Sequence, residues 1–297
     1  MTRAGLLGVL VGMGVGWGLT QPLGKIAVSG GYGPFGLIFW QLVIGVAVLG
    51  TLNLLRGGGL PRDRAALRFY TVIALIGTII PNSTFYTSVA HLPAGVMSIL
   101  ISTVPLIAFP ISLALGMDRF SAVRLAGLLC GLVGVALIAL PQASLPTGAA
   151  LAFLPLALIG PLFYAIEGNY VAKWGTGALD AVQAMLGASL VGAVMVLPLA
   201  VLSGQFISPF RVWGAPEAAL VVSSAVHAVM YAPYVWLAVA AGAVFATQTS
   251  YIVTGAGVLW SMLLLGERFS GWIWAAMAVM MVGLFLVQPR APAQPQG

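Results

Sequence analysis

Charge is what this chain of 297 residues most conspicuously lacks: Asp, Glu, Lys and Arg together make up 6% of it, eighteen residues in all. Soluble domains run at about 25% charged residues. A water-facing surface cannot be built from so few, and a soluble enzyme or a nucleic-acid binder is excluded. Cysteine is scarce too, and the single Cys130 rules out an intramolecular disulfide and any Cys-rich metal site. The sequence also holds no His-Glu-x-x-His zinc pair, no Gly-x-x-x-x-Gly-Lys phosphate loop and no acid pair at glycosidase-like spacing. No cofactor or metal is therefore expected.

What is abundant is apolar sequence, 61% of the residues, with a mean hydropathy of +1.08. A helix crossing a hydrocarbon core of about 30 Å needs about 20 apolar residues. Apolar runs bounded by Gly, Pro or charge fall at about 4–28, 34–55, 68–90, 94–116, 120–140, 149–172, 179–202, 216–239, 243–265 and 270–288. These predict ten spans with no soluble insertion, in contact with the lipid bilayer. The first run passes Trp17 and Gln21 without a small-residue cleavage pattern, so it reads as a retained span. The Pro- and Gln-rich residues 291–297 are expected to be a disordered tail.

The net charge of +6 marks topology here, because basic residues gather in cytoplasmic loops. A cytoplasmic N-terminus puts Arg3, Arg56, Arg62, Arg64, Arg68, Arg119, Arg124, Lys173 and Arg290 inside, with Lys25, Arg211 and Arg268 outside. Both termini are then cytoplasmic.

Laid on itself at an offset of about 149 residues, the sequence repeats. Leu115-Gly116-Met117-Asp118-Arg119-Phe120-Ser121 returns as Leu265-Gly266-Glu267-Arg268-Phe269-Ser270 with one residue deleted, Lys25 matches Lys173, and Tyr86 matches Tyr234. Two domains follow, residues 1–145 and 146–290, of five spans each. An odd number of spans turns the second copy upside down relative to the first. Such inverted repeats are a common transporter plan, with the substrate site near the midplane between the halves.

Ten spans in two halves, Trp17-Gly18 on the first, Pro105 in the fourth and the Gly-acidic-Arg-Phe turns together resemble the drug/metabolite transporter superfamily of EamA type. Within it the chain is most similar to the YddG-type aromatic amino acid exporters of the bacterial inner membrane. The resemblance implies an all-α membrane protein that exports its substrate by alternating access, from a central cavity lined by both halves. Phe163-Tyr164-Ala165 replaces Trp17-Gly18 in the second half, so these positions do not have symmetric roles.

Polar and aromatic residues at helical spacing locate a candidate cavity. Met13, Trp17 and Gln21 line up on the first span, Thr78, Asn82 and Tyr86 on the third, and Phe163, Glu167 and Tyr170 on the sixth. The eighth span adds His227, Tyr231 and Tyr234, and the ninth Gln248, Tyr251 and Gly255. Trp17, Tyr86, Tyr231, Tyr234 and Tyr251 offer aromatic walls that hold apolar side chains and attract an ammonium. Gln21, Asn82, Ser98 and Gln248 offer neutral hydrogen bonds to a zwitterion. Packing of the bundle alone is the competing account of each aromatic.

Glu167 is the one acid deep inside a span, about six residues or roughly 9 Å from the end marked by Lys173. It can exchange protons, pair with a substrate ammonium, or sit solvated in a vestibule. His227 lies near the midplane, whereas His91 falls in a turn at the outer surface. Gly8, Gly12 and Gly16, and likewise Gly127, Gly131 and Gly134, read as faces for close helix contact. Pro81 and Pro233 are the candidate hinges.

With no phosphate loop the chain alone cannot use ATP, which leaves an ion gradient or downhill facilitation. The expected function is export of amino acids, aromatic ones included, and related small metabolites by a functional monomer. Two alternatives stand beside it: proton-coupled export of lipophilic cations through Glu167, and an intramembrane enzyme built on His227 and Glu167 within hydrogen-bond reach.

Overall fold

A computed structural model describes residues 3–117, 119–139, 148–241 and 249–286. Among these residues every regular element is helical. Lipid has no water to satisfy backbone N–H and C=O groups, so apolar runs of this length close their hydrogen bonds within themselves. The helices are α1 (Arg3–Val28), α2 (Pro34–Leu55), α3 (Arg64–Ile73), α4 (Ile80–Val89), α5 (Ala94–Ile101), α6 (Thr103–Ala114) and α7 (Ala122–Ala139). They continue as the single turn α8 (Gly148–Leu151), α9 (Leu154–Trp174), α10 (Ala181–Leu202), α11 (Ala215–Ala241), α12 (Thr249–Leu265) and α13 (Gly271–Leu286). Among the described residues five segments are long and apolar enough to cross a membrane: Gly5–Val28, Pro34–Leu55, Arg64–Val89, Ala94–Ala114 and Ala181–Leu202. Shorter apolar helices lie at Ala122–Ile138, Ile252–Leu265 and Gly271–Gly283. Large apolar side chains stand exposed along the helices, among them Val194, Leu132, Leu263 and Phe285. Such a surface suits lipid and not water. The chain is a multi-pass membrane protein.

Helix starts follow local chemistry. Asp63 Oδ1 accepts from Ala65 N and Ala66 N, which starts α3 four residues before the apolar run expected from residue 68. Asp180 and Gln183 form a reciprocal capping box at the head of α10. Gly116 and Gly266, the matching glycines of the repeated turn, both end a helix with positive φ, +71° and +64°. Only glycine adopts that conformation without a Cβ penalty.

Packing pairs the two halves of the chain. α1 lies against α11 and α12, and α9 lies against α4 and α6; α2 packs on α10, α5 on α12, and α7 on α13. Of Gly8, Gly12 and Gly16, expected to permit close approach on α1, Gly16 alone does so, and Gly14 and Gly18 join it. Gly14 faces Ile252 and Gly18 faces Ala256 and Gly257 on α12, Gly16 abuts Met230, and Gly8 and Gly12 face open space. Period-four spacing selects a face, but it does not say which face has a neighbour. On α7, Gly131 and Gly134 meet Leu106 and Met280, and α13 brings Gly283 against Gly127 and Cys130.

Polar contacts tie the bundle ends across the halves. At one end Lys25 Nζ donates to Ala90 O (3.3 Å) and Leu92 O (2.8 Å). Glu267, the acid of the repeated turn, accepts from Ala94 N (2.8 Å) and Gly95 N (3.0 Å) and so caps α5 from 172–173 residues away. Nearby, Tyr32 donates to Glu217, Arg211 pairs with Glu217 at 3.3 Å, and the Arg211 guanidinium lies over the Tyr32 ring. Desolvation, then the adjoining carboxylate, raises the Tyr32 hydroxyl above its ordinary pKa. Gln205 Oε1 accepts from Phe35 N and Trp40 Nε1 donates to Ile207 O. At the opposite, Arg-rich end, Arg56 pairs with Asp180 at 3.7 Å, Gln183 donates to Gly59 O, and Lys173 donates to Leu115 O.

Candidate functional site

The site forms where α1 meets α11 and where α4 meets α9. Residues 227, 231 and 234 share one face of α11 by helical spacing. That face is turned to Trp17 on α1. The indole of Trp17 lies 6.2 Å from His227, 5.9 Å edge-on from Tyr231 and 5.3 Å edge-on from Tyr234, centroid to centroid. His227 and Tyr231 are 5.7 Å apart and Tyr231 and Tyr234 are 6.3 Å apart, so the four rings make one cage. Edge-on geometry is the favoured arrangement of aromatic quadrupoles. Leu10, Met13 and Leu237, with Met230 and Ile252, close one side of the cage in an apolar cluster around Tyr234.

Glu167 enters this cage through Tyr231. The buried Glu167 carboxyl group accepts from the Tyr231 hydroxyl at 2.5 Å. Space for the carboxylate comes from α4's approach. Residues Ala74–Ile79 wind as a π-helix between α3 and α4, just before Pro81, and within them Gly77 backs onto Glu167. A Cβ at Gly77 would fall 2.7 Å from Glu167 Cδ. π-helical turns recur at functional sites because they break the regular register of side chains. Pro81, named as a hinge from sequence, thus sits immediately after a local widening of the helix.

A second, amide-centred group adjoins the first. Tyr164 donates to Asn82 Oδ1 (3.2 Å), Asn82 Nδ2 donates to Gln41 Oε1 (3.2 Å), and the Tyr86 hydroxyl donates to the same Gln41 oxygen (3.0 Å). This chain runs from α9 through α4 to α2. Gly24, two turns along α1 from Trp17, packs on Phe85 and Tyr86, so one face of α1 spans both groups. Gln21 lies on that face between them and is 9% exposed.

Two members were not singled out from sequence. Tyr164 lies next to the stripe residue Phe163, which is half-buried on α9, and Gln41 is the lone amide in the middle of the apolar run of α2. An amide surrounded by apolar residues in a span was the available signal. Ser98 is placed elsewhere: its hydroxyl bonds back to Ala94 O, and it packs against Gly257 on α12. Tyr170 stacks between Phe69 and Trp174 and joins neither group. Gln248 lies outside the described residues, and of Tyr251 the helical backbone alone is described. His91 stacks flat on Phe153 at 3.9 Å, joining the α4–α5 turn to the head of α9. Among the described residues Glu167 and His227 make no hydrogen bond with each other, because Tyr231 stands between them. The pairing required by an intramembrane enzyme is therefore not formed. No group of three His, Cys, Asp or Glu that could hold a metal occurs among the described residues.

A solved crystal structure, described only as that of a protein, aligns over 96% of each chain with a TM-score of 0.66 at 19% identity. That likeness extends the fold to nearly the whole chain. No curated protein matches the sequence. Residues 4–140, the first half, match the EamA-like transporter family, which places an EamA-like domain in this chain.

Proposed function

We propose that the whole chain is an EamA-type transporter of two inverted halves, 1–145 and 146–290, which exports amino acids and related small metabolites across the bacterial inner membrane by alternating access. The packing scheme supports the inverted repeat. Exchanging first-half spans for their second-half counterparts turns the α1 contacts with α11 and α12 into the α9 contacts with α4 and α6. The same exchange leaves the α2–α10, α5–α12 and α7–α13 pairings unchanged. Both termini are cytoplasmic in this reading, and the monomer is the working unit, since both halves are already in one chain.

The observation that carries the reading is the four-ring cage, one wall from each half, with a buried carboxylate and an amide chain beside it. Aromatic walls take an apolar or aromatic side chain, and amides and hydroxyls take the zwitterionic end. Glu167 supports a second reading, proton-coupled export of lipophilic cations, because a buried carboxylate can bind a proton and a cation in turn. Purified chain in proteoliposomes separates the two. Counterflow of radiolabelled phenylalanine, competed by other aromatic amino acids and insensitive to a quaternary ammonium compound, supports amino acid export. Inhibition by the quaternary ammonium alone, with uptake of that cation driven by a pH gradient, supports the alternative.

A further inference from the structure

Two buried polar atoms in the site have no hydrogen-bond partner: Trp17 Nε1, a donor, and Gln21 Oε1, an acceptor. Buried polar atoms in folded proteins are nearly always paired, and an orphan of each sign on one helix face, four residues apart, calls for a ligand that supplies both complements. The surroundings narrow its chemistry. Trp17 is ringed by His227, Tyr231 and Tyr234, while Gln21 lies over 90% buried on α1 between that cage and Gly24, which adjoins Tyr86. The neighbouring groups bond one another: Tyr164 donates to Asn82, Asn82 and Tyr86 donate to Gln41, and Tyr231 donates to Glu167.

We propose that Trp17 and Gln21 form a matched donor–acceptor pair that binds the two ends of one small zwitterion, the indole N–H holding its carboxylate and the Gln21 carbonyl oxygen holding its ammonium. This assignment rests on the export reading above and adds to it the polarity of the bound substrate and the requirement for both charged ends. The site gains no net charge when a zwitterion fills it, so the complementary group need not be an ion. A quaternary ammonium cation has neither an N–H donor for Gln21 nor an acceptor for Trp17 and would leave both orphans unpaired. A carboxylate without an ammonium, or an amine without a carboxylate, pairs just one of them. Each orphan left unpaired weakens binding by about tenfold.

Binding to the full-length chain in lipid nanodiscs tests this with three probes: phenylalanine, phenethylamine, which lacks the carboxylate, and 3-phenylpropionate, which lacks the ammonium. Unsubstituted protein should bind phenylalanine about tenfold tighter than either analogue. Trp17→Phe keeps a ring in the cage and removes the N–H. It should weaken phenylalanine and 3-phenylpropionate about tenfold while changing phenethylamine much less. Gln21→Met should weaken phenylalanine and phenethylamine and change 3-phenylpropionate much less. Monodisperse elution and an unchanged melt separate lost binding from lost folding, and the ranking of the three probes on unsubstituted protein stands without any variant. Equal affinity for all three probes overturns the assignment, as does a Trp17→Phe loss of equal size for 3-phenylpropionate and phenethylamine. If phenylalanine counterflow is observed but the crossed pattern is absent, this pairing alone fails. If no amino acid is moved at all, the export reading fails and takes the pairing with it.

Discussion

Tyr231→Phe is the substitution whose cost follows most directly from the geometry. It leaves the ring that meets Trp17 edge-on at 5.9 Å and removes the hydroxyl that donates to Glu167 at 2.5 Å. Glu167 is 7% exposed, and Gly77 closes its far side, so water cannot easily replace the lost donor. Leaving a buried hydrogen-bonding group without its partner costs about 1–3 kcal/mol. A loss of about 2 kcal/mol is therefore expected. For a chain of this size that lowers the melting temperature by about 4–8 °C, using the roughly 2–4 °C per kcal/mol of large domains. Glu167→Leu removes the acceptor and provides the second arm of a double-mutant cycle. Thermal melting of the four proteins in one detergent measures the coupling. A value near 1–2 kcal/mol is expected, because the hydroxyl has little to lose once the carboxylate is gone. Strict additivity of the two melting shifts would refute the claim that Tyr231 is what holds Glu167 in the cage.

Three further outcomes follow from other parts of the structure. Glu267→Ala removes the carboxylate that caps Ala94 N and Gly95 N from the far half; a cap is worth about 0.5–2 kcal/mol, so melting should fall by several degrees, and no change would show the cap to be idle. Gly18→Ala should destabilise by about 1–3 kcal/mol, since its Cβ would fall 2.8 Å from Gly257 N. Gly8→Ala, in open space on the same helix, should gain about 0.5–1 kcal/mol, and equal melting of the two variants would contradict the described α1–α12 contact. In a background lacking Cys130, cysteine at Arg64 should react with an impermeant maleimide only from the cytoplasmic side, and cysteine at Phe210 only from outside. The reverse labelling would invert the topology.

Much of this architecture was legible because lipid makes it so. The limits of α2 at Pro34 and Leu55, and of α10 at Leu202, coincide with the apolar runs, since a span must begin and end where charge, Gly or Pro interrupts it. The cage was half legible. Spacing of three and four put His227, Tyr231 and Tyr234 on one face, and Trp17 on another. Both faces were assigned to one cavity from their polarity, but that Trp17 meets all three rings needed the packing of α1 on α11. Gln41 and Tyr164 were missed for a related reason. Gln41 is the single polar group of its own helix face and Tyr164 lies one turn from Glu167, and the two become part of a chain only when α2, α4 and α9 converge on Asn82. Ser98 stands apart from the cage: its hydroxyl bonds to Ala94 O, the ordinary local solution for a buried serine in a helix. The repeated Gly-acidic-Arg-Phe turn was visible as a pattern, but the task of Glu267, capping a helix 172–173 residues away, needed the third dimension.

The central claim, that the cage between α1 and α11 is where substrate is carried, is tested most directly by phenylalanine counterflow in proteoliposomes of the unsubstituted chain and of Trp17→Ala at equal reconstituted amounts. The account predicts saturable exchange by the unsubstituted protein and a loss of at least tenfold in Trp17→Ala, whose four-ring cage is broken while the lipid-facing surface is untouched. Exchange of equal rate and affinity in the two proteins would contradict it.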